Sequence, residues 1–117
     1  MRPAAEPQHP RRGEIWWVDF GPSVGGEIQK RRPAIVVGNG GANRHLNRLQ
    51  MVPITSNLGR LFPSEARVTV GGEQRKAMAD QLATVGKERL GGCLGRLDAA
   101  DLRSVERAIR VQLGLEA

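Results

Sequence analysis

The sequence predicts a mainly β (α+β) fold, a small β-barrel or sandwich of short strands followed by one C-terminal α-helix. Two observations predict it. The apolar runs are short and are separated by glycine- and proline-rich turn signals. From residue 99 onward the apolar residues recur instead every three or four positions. At 117 residues the chain has the length of about one domain.

Six segments have the alternating or continuous apolar pattern of strands. They are Ile15–Val18 with Phe20, Pro33–Val37, Leu49–Ile54, Ala66–Val70, Lys76–Ala83 and Gly92–Leu97. Pro53 has no N–H to donate to a ladder, so it predicts an edge position or a bulge in the third segment. The Gly38–Gly41 segment predicts a turn, because it lacks the Lys-Ser/Thr ending of a phosphate loop.

The predicted helix covers about residues 99–113. Leu102, Val105, Ile109 and Leu113 recur at helical spacing. Asp98 stands where an N-cap belongs, and Gly114 stands where the helix is expected to stop. This amphipathic helix is expected to cover one end of the barrel.

The ends of the chain predict its organisation and its location. Residues 1–10 hold three of the seven prolines and no apolar periodicity, so they are expected to form a flexible N-terminal tail before a single domain at 11–117. No run approaches the ~18 apolar residues of a spanning helix. The first residues also lack the apolar block of a signal peptide. A cytoplasmic protein without membrane contact is therefore expected.

The cysteine and histidine content argues against several classes of site. Cys93 is the only cysteine, which excludes an intrachain disulfide and a cysteine zinc cluster. His9 and His45 are the only histidines, and their spacing does not suggest a shared metal ion. Neither a P-loop nor a GxGxxG fingerprint occurs. We therefore expect no metal and no cofactor.

Positive charge is concentrated in the β part of the chain. The net charge is +6, yet residues 98–117 carry three basic and four acidic groups, so the predicted strands carry the excess. Fifteen of the 18 basic residues are arginine, whose planar guanidinium can pair bidentately with phosphate. A nucleic-acid surface is therefore expected on the strands rather than on the helix. The candidate contacts are the clustered residues Lys30, Arg31, Arg32, Arg44, Arg48 and Arg60.

Two short segments are candidates for the chemistry. In the first, Gly25 and Gly26 would let a backbone approach a ligand closely, and the segment leads into Arg32. Pro33 pushes Arg32 towards an extended conformation, which fixes where its long side chain begins. The second is Thr55–Ser56–Asn57 at the end of a predicted strand, a pattern that by itself is typical of turn chemistry.

Taken together, five segments in register resemble the MazF/PemK family of toxin endoribonucleases. The segments are residues 12–22, 25–27, 32–37, 52–57 and 79–90, and the resemblance spans about residues 11–115. It implies an SH3-like, CcdB-like β-barrel assembled as a homodimer. It also implies the toxin of a type II toxin–antitoxin system, which cleaves single-stranded RNA (mRNA) at short sequences without metal. The implied partner is a cognate antitoxin with an acidic, partly disordered tail.

The resemblance also implies roles for particular residues. The family's catalytic arginine corresponds to Arg32, its catalytic threonine or serine to Thr55, and a glutamate near its active site to Glu27. The loop 21–31 corresponds to the mobile segment that shapes the RNA site. The Asp80–Gln81 pair corresponds to a family pair that we interpret as structural. Two features depart from the family pattern. Gly26 stands where a serine is common, and the segment 40–48 is unusually basic. Both lie where substrate could contact the protein.

These residue types suit RNA cleavage by the substrate's own 2′-hydroxyl. That hydroxyl would attack phosphorus and displace the 5′-oxygen, leaving a 2′,3′-cyclic phosphate (or 3′-phosphate) and a 5′-hydroxyl. Arg32 would stabilise the charge that grows on the non-bridging oxygens. Thr55 would donate a hydrogen bond to the phosphate or orient the attacking oxygen. Glu27 is our hypothesis for the general base, with His45 the second candidate.

Two other readings remain open from the sequence. A barrel of the same fold could bind nucleic acid without cleaving it, in which case Arg32 would only anchor phosphate. A gyrase-directed toxin of the same fold would act on a protein through its C-terminal end. The Arg-Pro and Thr-Ser pairs on a positively charged barrel favour the ribonuclease.

Overall fold

The computed structural model describes residues 9–22, 25 and 30–115. Seven strands form one curled antiparallel sheet: β1 (Glu14–Asp19), β2 (Arg31–Val36), β3 (Arg48–Thr55), β4 (Glu65–Val70), β5 (Glu73–Met78), β6 (Ala83–Gly86) and β7 (Leu90–Arg96). Two α-helices are described, α1 (Gly40–His45) and α2 (Ala99–Gln112), together with short 3₁₀ turns at Ala79–Gln81 and Lys87–Arg89. The predicted mainly β fold with a C-terminal helix is confirmed. Most of the predicted tail lies outside the described residues, and Pro10 at its end is buried.

The sheet is built around β3. Its strand order is β4-β5-β3-β2-β1-β7, and β6 also pairs with β3. Along one side β3 pairs with β2, and along the other its first half pairs with β6 and its second half with β5. Pro53 lies where β3 changes partner, between Met51 opposite Ala83 and Ile54 opposite Ala77. Of the two predicted alternatives, an edge position and a bulge, the edge position was wrong: the missing N–H of Pro53 is accommodated at a gap in the ladder of a central strand.

Both faces of the central strands are buried, which explains their continuous apolar runs. Ile35, Val52 and Ile54 belong to one core cluster, which includes Val105 and Ala108 of α2. Alternate residues of the same strands enter a second cluster on the other face. Its buried members are Val18, Ala34, Val36, Leu49, Met51 and Val85.

Helix α2 begins and ends close to the predicted positions. The Asp98 carboxylate accepts a hydrogen bond from the Asp101 amide at 2.8 Å, which confirms the N-cap. The Asp101 carboxylate in turn accepts from the amide of Thr69 on edge strand β4, at 2.8 Å. Gly114 adopts a left-handed φ of 69° just after the helix. Leu113 is exposed, so the buried stripe of the helix ends before it.

Two local predictions were wrong. The predicted turn Gly38–Gly41 overlaps α1, which begins at Gly40. The N-cap residue Asn39 accepts a hydrogen bond from the Ala42 amide at 2.8 Å. Asn43 of α1 is buried, and its side chain donates to the Gly38 carbonyl. The predicted strand Lys76–Ala83 is interrupted by the 3₁₀ turn at Ala79–Gln81, so its two ends belong to β5 and β6.

Candidate active site

Arg32 and Thr55 come together because their strands are neighbours. The β2–β3 ladder places Ala34 opposite Pro53, and continuing it by two residues along both strands places Arg32 opposite Thr55. Directly opposite residues of an antiparallel pair have Cβ atoms about 5 Å apart. Both residues are half-buried and line one cavity of about 420 Å³. The structure thus brings the two predicted catalytic residues together.

Arg32 starts from a rigid stretch of backbone. It pairs with Val18 in the β1–β2 ladder and precedes Pro33, so its backbone is extended. Just before it, Lys30 adopts a left-handed φ of 65°. The Lys30 amide donates to the Gly21 carbonyl at 2.7 Å, and its carbonyl accepts from the Phe20 amide at 2.9 Å. These two bonds close the base of the β1–β2 loop and compensate a backbone conformation that costs about 1 kcal/mol or more.

The Thr55 hydroxyl oxygen is held by a local turn. It accepts a hydrogen bond from the Asn57 amide at 3.1 Å, and the Asn57 side chain accepts from the Gly59 amide at 3.1 Å. A hydroxyl can accept and donate at once, so the Thr55 proton can be directed to a ligand oxygen. The turn pattern that the sequence shows at 55–57 therefore positions this hydroxyl.

A buried ion pair lies beside Thr55. Lys76 is directly opposite Thr55 in the β3–β5 ladder. Its ammonium contacts the Glu65 carboxylate at 3.3 Å and donates to the Arg60 carbonyl at 3.2 Å, and both side chains are at most 10% exposed. Glu65 also accepts from the Phe62 amide at 2.8 Å. These contacts tie the loop after Thr55 to the β4–β5 hairpin.

The cavity has a cationic lining. Lys30, Arg31, Arg32 and Arg75 all line it, and the lining residues that the structure describes include no acidic side chain. Ser56 lies on the same wall. Such a lining favours an anionic ligand, and a guanidinium is suited to bind phosphate through two parallel hydrogen bonds.

The cavity also contains residues that were absent from the sequence-based candidate site, among them Trp17, Arg75 and Leu94. Arg75 reaches the cavity because β5 pairs with the second half of β3. Leu94 reaches it because β7 pairs with β1 at the sheet edge. Both pairings join segments distant in sequence, and no local pattern indicates them. Trp17 carried a detectable signal, because it is an aromatic residue in the strand next to that of Arg32.

The other predicted contacts lie in different places. Gly26 and Glu27 lie outside the described residues, and Gly25 is exposed with a φ of 64°. Arg44 and His45 are in the last turn of α1, next to Arg48 at the start of β3. Seven residues of strand, about 23 Å, separate that end from Thr55.

Arg60 lies in the loop after Thr55. Its guanidinium stacks over the Phe62 ring, with Cζ 5.1 Å from the ring centroid. It therefore flanks the site and is not part of the cavity lining.

In residues 9–22, 25 and 30–115, no three His, Cys, Asp or Glu side chains are grouped so that they could hold a metal ion. No helix in the described part of the chain is long and apolar enough to cross a bilayer.

The chain is similar to proteins of one known family. A family model described as PemK-like, MazF-like toxin of type II toxin–antitoxin system matches residues 11–113. The endoribonuclease MazF9 of Mycobacterium tuberculosis is 40% identical over 114 residues, covering 90% of this chain and 97% of that protein.

Solved structures show the same architecture. MazF from Deinococcus radiodurans has a TM-score of 0.81 at 26% identity and covers 92% of this chain and 99% of its own. An endoribonuclease in complex with its cognate antitoxin, from a mycobacterial species, has a TM-score of 0.79 at 27% identity, with 92% and 98% covered. The family resemblance of the sequence is confirmed: the chain belongs to the PemK/MazF family of endoribonuclease toxins of type II toxin–antitoxin systems.

Proposed function

We propose that this toxin cleaves single-stranded RNA in the cavity that Arg32 and Thr55 share, by attack of the substrate's 2′-hydroxyl and without a metal ion. The observation that carries the proposal is that the neighbouring strands β2 and β3 bring Arg32 and Thr55 to one cavity. The cationic lining supports a phosphate-containing substrate.

The protein must stabilise the charge that grows on the phosphate, and it must take the proton from the 2′-hydroxyl. As the 2′-oxygen bonds to phosphorus and the 5′-oxygen leaves, negative charge grows on the non-bridging oxygens. Arg32 pairs with those oxygens through its planar fork and stays protonated throughout. Thr55 donates a hydrogen bond to the phosphate, with its oxygen fixed by the Asn57 amide. The leaving 5′-oxygen takes its proton from water. The products are a 2′,3′-cyclic phosphate (or 3′-phosphate) and a 5′-hydroxyl.

We assign the general base to Glu27, which precedes Arg32 by five residues in the sequence. Its role is to take the proton from the 2′-hydroxyl. His45 lies at the opposite end of β3 from Thr55, which favours Glu27. A Glu27→Gln variant should cleave much more slowly than wild type at saturating RNA, because an amide cannot take the proton. Cleavage at the wild-type rate would remove this assignment.

The remaining contacts and partners follow from the charge of the cavity. Lys30, Arg31 and Ser56 would bind phosphates next to the cleaved one, and Gly25, Gly26, Asn57 and Arg60 would border the RNA. Arg44 and Arg48 would contact only an RNA long enough to reach the far end of β3. We place the toxin in the cytoplasm, where mRNA is found.

We further propose that the toxin forms a homodimer and is neutralised by an antitoxin. An acidic, partly disordered antitoxin tail would compete with RNA for the cationic cavity, because it carries the same sign of charge. The solved complex of a similar endoribonuclease with its cognate antitoxin supports this partner. A sedimentation mass of 12.7 kDa, or an antitoxin that leaves RNA binding unchanged, would contradict these assignments.

The decisive experiment uses a mixed-sequence RNA in EDTA. We expect cleavage to persist under chelation and to leave 5′-hydroxyl ends, which polynucleotide kinase can label directly. Once the cleaved bond is mapped, a 2′-deoxy substitution on its 5′ side should abolish cleavage there, because the nucleophile is gone. The same substitution at a neighbouring nucleotide is the control and should leave cleavage intact. Products with 5′-phosphates, or cleavage that EDTA abolishes, would refute the mechanism. RNA that is bound but stays intact would favour the alternative that the barrel binds nucleic acid without cleaving it.

A further inference from the structure

Trp17 and Arg31 form a cation–π pair on the wall of the cavity that holds Arg32 and Thr55. The Cζ atom of Arg31 lies 5.3 Å from the centroid of the Trp17 ring, within range of a cation–π interaction. Trp17 is half-buried, whereas Arg31 is exposed. The guanidinium is planar, so the pair presents a flat cationic surface at the catalytic residues.

The Trp17–Arg31 pair packs against Gly91 of β7, where a side chain would collide with it. Trp17 and Arg31 lie on neighbouring strands, with Trp17 opposite Pro33 and Arg31 opposite Asp19. On the edge strand, a Cβ atom at Gly91 would lie 2.9 Å from both the Arg31 Nη2 atom and the Trp17 Cβ atom. Real Cβ atoms essentially never approach other atoms so closely. The backbone of β7 therefore supports the pair from behind.

The neighbouring tryptophan has a different role. The Trp16 indole donates to the Glu14 carboxylate at 3.1 Å, and its ring packs against the second core cluster. Consecutive residues of a strand point to opposite faces, so one of the two rings meets the core and the other the cavity. Trp16 is therefore a matched control for variants of Trp17.

We propose that the base of a nucleotide adjacent to the cleaved phosphate stacks on the Arg31 guanidinium, with Trp17 behind it, and that this stack determines how the RNA is placed for cleavage. The inference rests on the proposed function, since it takes RNA to be the ligand. Single-stranded bases are bound on aromatic rings and on arginine planes in other RNA sites. Removing one such stack weakens binding about 5- to 150-fold.

The test measures binding of a short RNA that carries an abasic nucleotide at one position at a time. The nucleotide on the 5′ side of the cleaved bond carries a 2′-deoxy substitution, so that the protein cannot cleave this RNA. We expect one abasic position to weaken wild-type binding within the range above. Trp17→Leu should weaken binding of the full RNA by a similar factor. In this variant, an abasic nucleotide at the critical position should weaken binding little further. Arg31→Lys keeps the charge without the plane and should resemble Trp17→Leu. Trp16→Phe is the control and should behave as wild type.

Fluorescence gives a second readout that does not require a variant at Trp17. In Trp16→Phe, Trp17 is the sole tryptophan. Full RNA should shift or quench its emission, and the critical abasic RNA should do so much less. Equal abasic losses in wild type and Trp17→Leu at every position, or emission unaffected by RNA, would overturn the stacking proposal. Binding is measured on uncleavable RNA, so this result is separable from the absence of cleavage that would refute the proposed function.

Discussion

Arg32→Ala is expected to lower the rate of RNA cleavage about 10²–10³-fold while the fold persists. Removing one preorganised donor to a developing oxyanion costs about 3–4 kcal/mol of transition-state stabilisation. Arg32 lies in β2 opposite Thr55, where it can meet both non-bridging oxygens of one phosphate. Arg32→Lys keeps the charge but loses the two-pronged geometry, so it should recover only part of the activity. The measurement is the single-turnover rate with saturating RNA, so that weaker binding does not enter.

Matched variants separate chemistry from charge and folding. Arg103→Ala removes an exposed arginine of α2 and should cleave at the wild-type rate. Thr55→Val removes the hydroxyl and should be severely impaired, whereas Thr55→Ser restores it and should recover activity. Circular dichroism checks that each variant is folded. If Arg32→Ala cleaves within about threefold of wild type, Arg32 does not act on the transition state.

Lys76→Met is expected to lower the free energy of unfolding by about 3–5 kcal/mol. The substitution leaves the Glu65 carboxylate buried without its ion partner, and it removes the bond to the Arg60 carbonyl. Urea denaturation measures the loss. The double variant Glu65→Gln/Lys76→Met should recover much of it, because no charge is then buried and an amide oxygen can still accept from Phe62.

The same hairpin contains an exposed ion pair for comparison. Glu73 contacts Arg75, and the Glu73 side chain is 68% exposed. Solvent and salt screen such pairs, so Glu73→Gln should change the free energy of unfolding by less than about 1 kcal/mol. A Lys76→Met protein as stable as Glu73→Gln would show that the buried pair does not anchor the site.

Much of the fold was predictable because its elements carry local periodicity. Strands β1 to β4 and helix α2 all have apolar patterns that match their burial. Helix α1 was missed because Gly40 and Gly41 are poor helix formers. It is stabilised by the Asn39 cap and the buried Asn43, and only the folded chain shows the second of these.

The site was predictable only where the family pattern or the local sequence carried it. Arg32, Thr55 and the cationic cluster at 30–32 were recognised and lie on one cavity. Arg75, Leu94 and the outward orientation of Trp17 depend on how distant strands pair. Composition and spacing contain no information about such pairings, because the loop lengths between the strands allow several of them.

The change of partner at Pro53 divides the catalytic residues between two hydrogen-bonded units. Arg32 belongs to the unit of β1 and β2, whereas Thr55 pairs with Lys76 of β5 in the β4–β5 hairpin. Among the strands that the structure describes, β3 alone pairs with both units. A partial opening of the β4–β5 hairpin, short of global unfolding, would therefore carry the hydroxyl away from the guanidinium. Heat should thus inactivate this toxin reversibly at temperatures below its melting transition.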